Sequence, residues 1–588
     1  MKRNDYVVKT VYRSFVMVSV MTALIATVGM LIDNIVVGRF LGTECLSAMG
    51  LVSPVSMIFS AIGNISSSGG ATMAARALGK GDTKKVHRIF TVTILYNLVT
   101  SVIITVIGVA FAGSIAIWLG AGKDTLQPTA DYLRGYFLGA VPTIMLPTIL
   151  GFVKLDGSTK LPAVSMATMT VLDVVLDIVA AVILHGGMYG MALATTIAYF
   201  AATAVSLLHF RRSYNTLKLT VISESLAELK GMVATGAPTA VNRVCETLKT
   251  VILNNMMNIL AGSAAIAALN VRTQANSLIG SVIMGTGSAM MPIAGLFFGE
   301  EDETALAKCV KDCVRVGLAL CAVFMVFLLA VPGIFSSLLG IKEEAVAQMA
   351  DVGICFFALS MPFRLFNVLW TSFYQSTGNN RHAMIISILQ SLVFTVLTAV
   401  IFMKPFGTTG IFASFAAGEI LTAVYICFLA VRKSRKALPS LRDFMLLMPD
   451  FGNEVVKRWE FSVGNDINEV TGLSEKVMER AKEVDFDSHI AYTLALCIEE
   501  MAGNVVKHAF RPGKKQWFDL LILAKRDRIV FHMLDNGMMF DPLRYMEDKN
   551  AGPENGIGIR LIMAKADEIR YNRSIGLNNL TIEFRAKI

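Results

Sequence analysis

Long, almost unbroken apolar stretches dominate this chain up to about position 435, with polar positions gathered in short connecting segments. The stretches at 14–37, 47–74, 86–111, 130–155, 161–184, 188–209, 230–260, 266–297, 308–332, 347–375, 383–403 and 409–431 each reach the length that crosses about 30 Å of hydrocarbon. They predict a polytopic α-helical membrane protein of about twelve transmembrane helices. After the basic run Arg432–Lys436 the pattern changes. Helical spacing predicts helices at 466–483 and 487–508, and apolar runs predict strands at 517–524 and 528–535. A further helix starts near Gly558 and two strands end the chain, which together predict an α/β sandwich.

Composition sharpens this division. The 588 residues are 54% hydrophobic and 16% charged, where soluble domains carry about 25% charge. Of the charged residues, 53 lie in the first 440 positions and 44 in the last 148. A wholly soluble protein is excluded. The net charge of +9 belongs to the membrane part, so it does not imply nucleic acid. The basic N-terminal segment leads into a long apolar run and reads as a first membrane helix, not a cleaved signal. Lys and Arg concentrate in loops on the side of the two termini, including the Lys80–Arg88 cluster. The opposite loops hold Arg39, Lys123, Arg134, Lys342 and Lys404. The positive-inside rule then predicts a multi-pass protein of the cell membrane with both termini cytoplasmic.

Landmarks recur at an offset of 220 residues. Gly79 falls on Gly299, Pro142 on Pro362, and Gly157 within one residue of Gly378. Two six-helix pseudo-repeats are a transporter architecture. The expected domains are 1–216 and 217–435 as two lobes, 436–460 as linker and 461–588 as the soluble tail.

Ionisable groups at bilayer depth are costly and mark function. The first half holds Asp33, followed by Asn34, in the first helix, and Asp173 and Asp177 in the fifth. A spacing of four puts the latter two on one helix face, suited to a proton or a small cation such as Na⁺. The second half holds Arg243, Glu246, Arg272, Arg364 and Glu419, with Lys249 beside them. These groups form either an internal ion-pair network or a substrate cavity with surplus positive charge. The eight cysteines form no CxxC and read as small buried hydrophobes.

Residues 10–435 resemble the MATE (multidrug and toxic compound extrusion) family. The resemblance rests on DNIVVGRFLG around Asp33, RALGKGDTKK, LDGSTKLPA, Asp177 and GAPTAVNRVCE. It implies a V-shaped cleft between two lobes and ion-coupled antiport of an organic small molecule. It also implies coupling roles for Asp33 and Asp177, a helix-seven acid at Glu246 and a polar pocket position at Thr195. Asp173 stands where many relatives have Asn, which leaves H⁺ and Na⁺ both open.

Three motifs follow in the tail. EEMAGNVVKHAF spaces Glu500, Asn504 and His508 by four, LDNGMMFDP ends a strand at Asp535 and Gly537, and NGIGIRLIMAKADEI opens a helix at Gly556 and Gly558. Their order resembles the GHKL ATPase domain of the anti-sigma-factor serine kinase type. The resemblance implies bound ATP and Mg²⁺, with Asn504 on the metal and Glu500 as catalytic base. Asp535 would receive the adenine amino group beside Gly537, Gly556 and Gly558 would cradle phosphate, and 543–555 would form a lid. No GxxxxGK[ST] occurs, so an ABC-type pump is excluded. Three functions remain open. The first is an ion-coupled antiporter regulated by, or signalling through, its tail. The second is a membrane-tethered serine/threonine kinase acting on a cytoplasmic protein partner. The third is a lipid-linked precursor flippase.

Overall fold

The computed structural model describes residues 6–158, 160–212, 215–339, 341, 343–448, 451, 455–482, 488–510, 516–543 and 557–585, without the side chains of 31, 34, 43, 46, 482 and 488. The first half is built from α1 (Tyr6–Phe40), α2 (Thr43–Gly79) and α3 (Thr83–Ala110). Next comes α4, a pair Lys123–Leu138 and Ala140–Leu155 bent by 47° at Gly139. It is followed by α5 (Lys160–Ile178) and α6 (Gly187–Leu207). In the second half a continuous run Leu229–Gly299 breaks at Ala261 and Gly262 into α7 (229–260) and α8 (263–299). Then come α9 (Glu303–Ala330), α10 (Glu344–Ser376) and a run from Asn380 to Ser434 that breaks at Gly407 into α11 (380–406) and α12 (408–434). Among the described residues, nine helices are long and apolar enough to span a membrane as they stand. Counting the bent pair as one span and dividing the two broken runs brings the described spans to twelve. Their outward surfaces are apolar: Val102, Ile103, Val106 and Ile107 on α3 and Val323 and Val326 on α9 are all exposed. Such belts belong against lipid, where a helix satisfies its own backbone.

The repeat is written in the backbone. Gly42 and Gly262 both take positive φ (90° and 62°), as do Gly187 and Gly407 (57° and 55°) and Gly157 and Gly378 (87° and 85°). Asp82 caps α3 by accepting from Lys85 N, and Asp302 caps α9 by accepting from Ala305 N. The halves meet where glycines remove side-chain bulk. A Cβ on Gly236 would stand 2.0 Å from Ile65 O, and one on Gly79 would stand 2.0 Å from Leu296 O and 2.8 Å from Gly299 Cα. The ends of α2 and α8 nearest the tail therefore touch backbone to backbone.

Among its described residues the tail has five antiparallel strands: β1 (Val455–Gly464), β2 (Trp517–Lys525), β3 (Arg528–Asp535), β4 (Glu568–Ser574) and β5 (Leu577–Arg585), in the order β1-β2-β3-β5-β4. Helices α13 (Ile467–Lys482), α14 (Ser488–Cys497) and α15 (Ile557–Lys565) cover one face around a core of Phe461, Leu473, Leu494, Ile498, Phe518, Phe531 and Ile562. Strand β1 is a correction to the sequence reading. It begins at Val455, inside the stretch read as linker, because its apolar positions alternate with charged ones that find partners only in the assembled fold.

Candidate functional site

Three acids meet in the first half. Asp33 comes from α1, and Asp173 and Asp177 come from one face of α5 just before a π-turn at Val179–Ile183. Such π-turns are frequent at functional sites. Asp173 and Asp177 are buried, and the three carboxyls lie close enough to interact electrostatically. Thr195 of α6 stands beside Asp173. Both oxygens of Asp177 and one each of Asp33 and Asp173 are buried without a protein donor among the described residues. Tyr132 and Tyr199 stand close enough to interact electrostatically with this group, and Tyr136 stacks between Tyr132 and Phe59 at 5.8 and 5.0 Å. The Asn34 side chain lies outside the described residues.

A cavity of about 550 Å³ runs between the halves. Ser67, Lys154 and Tyr199 line it from the first half, and Arg243, Glu246, Arg364 and Gln375 from the second. The three aspartates do not line it. Tyr199 faces both places.

A smaller pocket of about 50 Å³ in the second half gathers Glu246, Lys249, Arg272, Arg364 and Glu419. Lys249 pairs with Glu246 at 2.7 Å, one turn apart on α7. Glu419 accepts from Asn367 at 2.7 Å and Gln390 at 2.9 Å. Arg364 donates to Asn276, and the Arg272 guanidinium lies 3.3 Å from the centre of the Phe415 ring, a cation–π contact. Three cations against two acids leave this pocket positive. Glu246 and Arg364 also line the large cavity, so the two spaces share a wall. Arg243 reaches only the large cavity.

In the tail, α14 runs on through π-turns at Ile498–Ala502 and Val505–Ala509, carrying Glu500 and Asn504. Asp535 ends β3 at the floor of a cleft lined by Met501, Val505, Ala509, Met533, Phe540 and Leu580. Its Oδ1 accepts from Gly537 N and Asn578 Nδ2, both at 2.8 Å. Burial pushes the Asp535 carboxyl up to about 6, against the pull of those two donors. The Glu500 carboxyl lies against the start of α15, where a Cβ on Gly558 would stand 2.0 Å from Glu500 Cδ. Gly556, and all of the expected lid except Leu543, lie outside the described residues.

The profile of the MatE family matches residues 19–179 and 238–401, more than half of the chain. The chain belongs to the MatE family. Its tail carries a histidine kinase-like ATPase domain, matched over residues 465–584. A curated relative, the multidrug export protein MepA of Staphylococcus haemolyticus, is 26% identical over 400 residues, covering 67% of this chain and 86% of its own length. MepA of Staphylococcus aureus strain MRSA252 is 24% identical over 397 residues, with coverage of 66% and 86%. Among solved structures, a multidrug resistance MATE transporter of the MOP superfamily in an outward-facing conformation superposes with TM-score 0.68 at 20% identity, over 71% of this chain and 94% of that one. A MOP superfamily transporter from Pyrococcus furiosus, described by the reverse polarity of its binding pocket, gives 0.66 at 20% identity with the same coverage. These two share the fold.

In this MatE chain the sequence reading did not include Tyr132, Tyr136, Tyr199, Lys154 or Gln375. Tyrosines on apolar helices carry no signal that separates a polar cage from ordinary filling. Asn578 was also missed, being one of two adjacent asparagines in a strand whose facing only register decides.

Proposed function

We propose that this chain exports organic solutes in exchange for H⁺ or Na⁺, and that its tail, on the cytoplasmic side, binds ATP with Mg²⁺ and regulates transport. One observation carries the reading: three acids from two helices converge in the first half, and Tyr199 connects them to the cavity between the halves. Carboxylates this close in a low-dielectric site repel unless a proton or metal cation lies between them. Binding a cation draws α1 and α5 together, and the arrangement that binds it better gains population. The cavity is of a size that takes drug-sized ligands. The surplus positive charge of the neighbouring pocket favours anionic or zwitterionic solutes over simple cations. Multidrug export by the named relatives supports this assignment.

The lining of the tail cleft suits an adenine ring chemically. It is apolar, with one buried carboxyl at its floor whose two donors both go to Oδ1, leaving Oδ2 for an amino group. Among the described residues no group of three His, Cys, Asp or Glu side chains could hold a metal. Mg²⁺ would therefore be held by Asn504 together with the nucleotide's own phosphates. ATP supplies a transferable phosphoryl group there. Glu500, against the first turn of α15, is placed to accept a proton from the attacking hydroxyl or water.

Solute flux in proteoliposomes under an imposed H⁺ or Na⁺ gradient tests the transport reading. Asp177→Asn is expected to reduce gradient-driven flux at least about tenfold while solute still binds. Unchanged flux and unchanged pH dependence would overturn the coupling assignment.

A further inference from the structure

The helix-free face of the tail's sheet is buried. Along the strands, alternate positions point away from α13, α14 and α15. On that side Ser462, Asp519, Lys525, His532, Asn579 and Thr581 are each at most 8% exposed, with Leu521, Leu523 and Val530 buried among them. An antiparallel sheet with helices on one side commonly turns a polar face of this kind to water. Here it is pressed against the tail-side ends of the membrane helices, and Leu534, Ile575 and Leu577 pack into the membrane core.

Both halves are touched, at equivalent places. On the first half, Arg570 fills the space over Gly81, where a Cβ would stand 2.7 Å from its Nε, and donates to Lys80 O at 3.4 Å. Ile575 N donates to Leu155 O at 2.7 Å. On the second half, Arg458 donates to Glu301 O and Asp302 Oδ1, both at 3.2 Å, and Lys525 Nζ lies 3.0 Å from Glu301 Oε2. Asn579 donates to Glu300. Residues 80–82 and 300–302 correspond at the 220-residue offset, and each follows a glycine, Gly79 or Gly299, at which the halves meet.

We propose that the nucleotide domain is a clamp on the tail-side gate, holding the two equivalent corners together, and that nucleotide sets its grip through β5. Parting the ends of α2 and α8 requires the sheet to release one corner. At the two corners the contacts are ionic and polar, as in interfaces that form and part reversibly, beside the apolar contacts of Leu534, Ile575 and Leu577. The link to nucleotide lies in two neighbouring residues with opposite facing. Asn578 donates to Asp535 and to Met538 O, while Asn579 holds Glu300. A ligand that draws on Asp535 shifts the strand that grips the second half, and gate and nucleotide affinity must then influence each other reciprocally. This second part rests on the nucleotide reading above. The clamp itself does not.

The test uses the full chain in proteoliposomes, with a cysteine introduced at Ser67 in the central cavity. A membrane-impermeant thiol reagent is applied from the tail side, and the unsubstituted chain corrects for native cysteines. Arg458→Gln/Arg570→Gln is expected to raise the labelling rate about three- to tenfold, the order set by losing one partly exposed contact per half. Glu301→Lys, which replaces the Lys525 ion pair at the same corner with a like-charge pair from the membrane side, should also raise it. Labelling unchanged in both overturns the clamp. ATP–Mg²⁺ is expected to change labelling in the parent and not in the double variant. Binding of a fluorescent ATP analogue without any change in labelling overturns the β5 link alone. No binding of the analogue overturns the nucleotide reading and the link with it, while the variant arms still decide the clamp.

Discussion

At the scale of single residues, the tail site depends on two close fits. Gly558 has no room for a side chain because the Glu500 carboxyl occupies the place. Gly558→Ala should weaken ATP binding by about 1–3 kcal/mol, as overpacking does. Adding Glu500→Ala should recover most of that loss, because the two atoms that collide are then no longer both present. Isothermal titration of the two single variants and the double variant measures this coupling. The motif spacing carried both residues, but their contact needed α14 and α15 to be folded together. Asp535 makes a pH prediction. Its folded value of about 6 lies above the ordinary 3.8, so the folded state holds the proton more tightly. The group therefore favours folding below about pH 4. That contribution is lost as pH climbs through 6, a cost of about 3 kcal/mol at neutral pH. Asp535→Asn should raise the unfolding temperature of the tail at pH 7 and abolish adenine binding. By calorimetry, its stability advantage should shrink as pH falls from 6 to 4.

At the scale of elements, glycine and caps place the breaks. Gly187 and Gly407 have positive φ and open space around them. Alanine at either therefore meets only backbone strain, about 1–2 kcal/mol, and should lower melting temperature without abolishing transport. The paired caps give a sharper comparison. Asp82→Ala should cost about 1 kcal/mol, as lost N-caps do. Asp302→Ala should cost more, because Asp302 also receives Arg458 from the tail. Thermal unfolding of both variants, in the full chain and in a chain ending at residue 448, checks this: the difference should vanish without the tail. The apolar stretches specified the twelve spans closely, since length against bilayer thickness is a local property. Strand β1 was not legible, because Arg458 and Glu460 read as linker polarity until Asp302 of the membrane part meets Arg458, which also pairs with Glu460.

At the scale of the whole molecule, the tail-side ends of the two halves close on bare backbone. Gly79→Val would drive a side chain into Leu296 O and Gly299. It should part the ends of α2 and α8, seen as faster tail-side labelling of the Ser67→Cys chain, with a reciprocal change in nucleotide affinity.

The sequence by itself determined what depends on composition and spacing along one chain. That includes the membrane spans, the doubled architecture at an offset of 220, the acids and bases at bilayer depth, and the order of the tail motifs. Burial of charge is costly enough that each such residue stands out in one dimension. Only the tertiary structure decided which groups share a space. It put Asp33 beside Asp177, set Tyr199 between the acids and the cavity, and gathered Glu246, Lys249, Arg272, Arg364 and Glu419 in one pocket. It also laid a polar sheet face across both halves. The reason is physical. Periodicity states which face of an element is apolar, whereas the partner that a polar face meets is fixed only when separate elements pack.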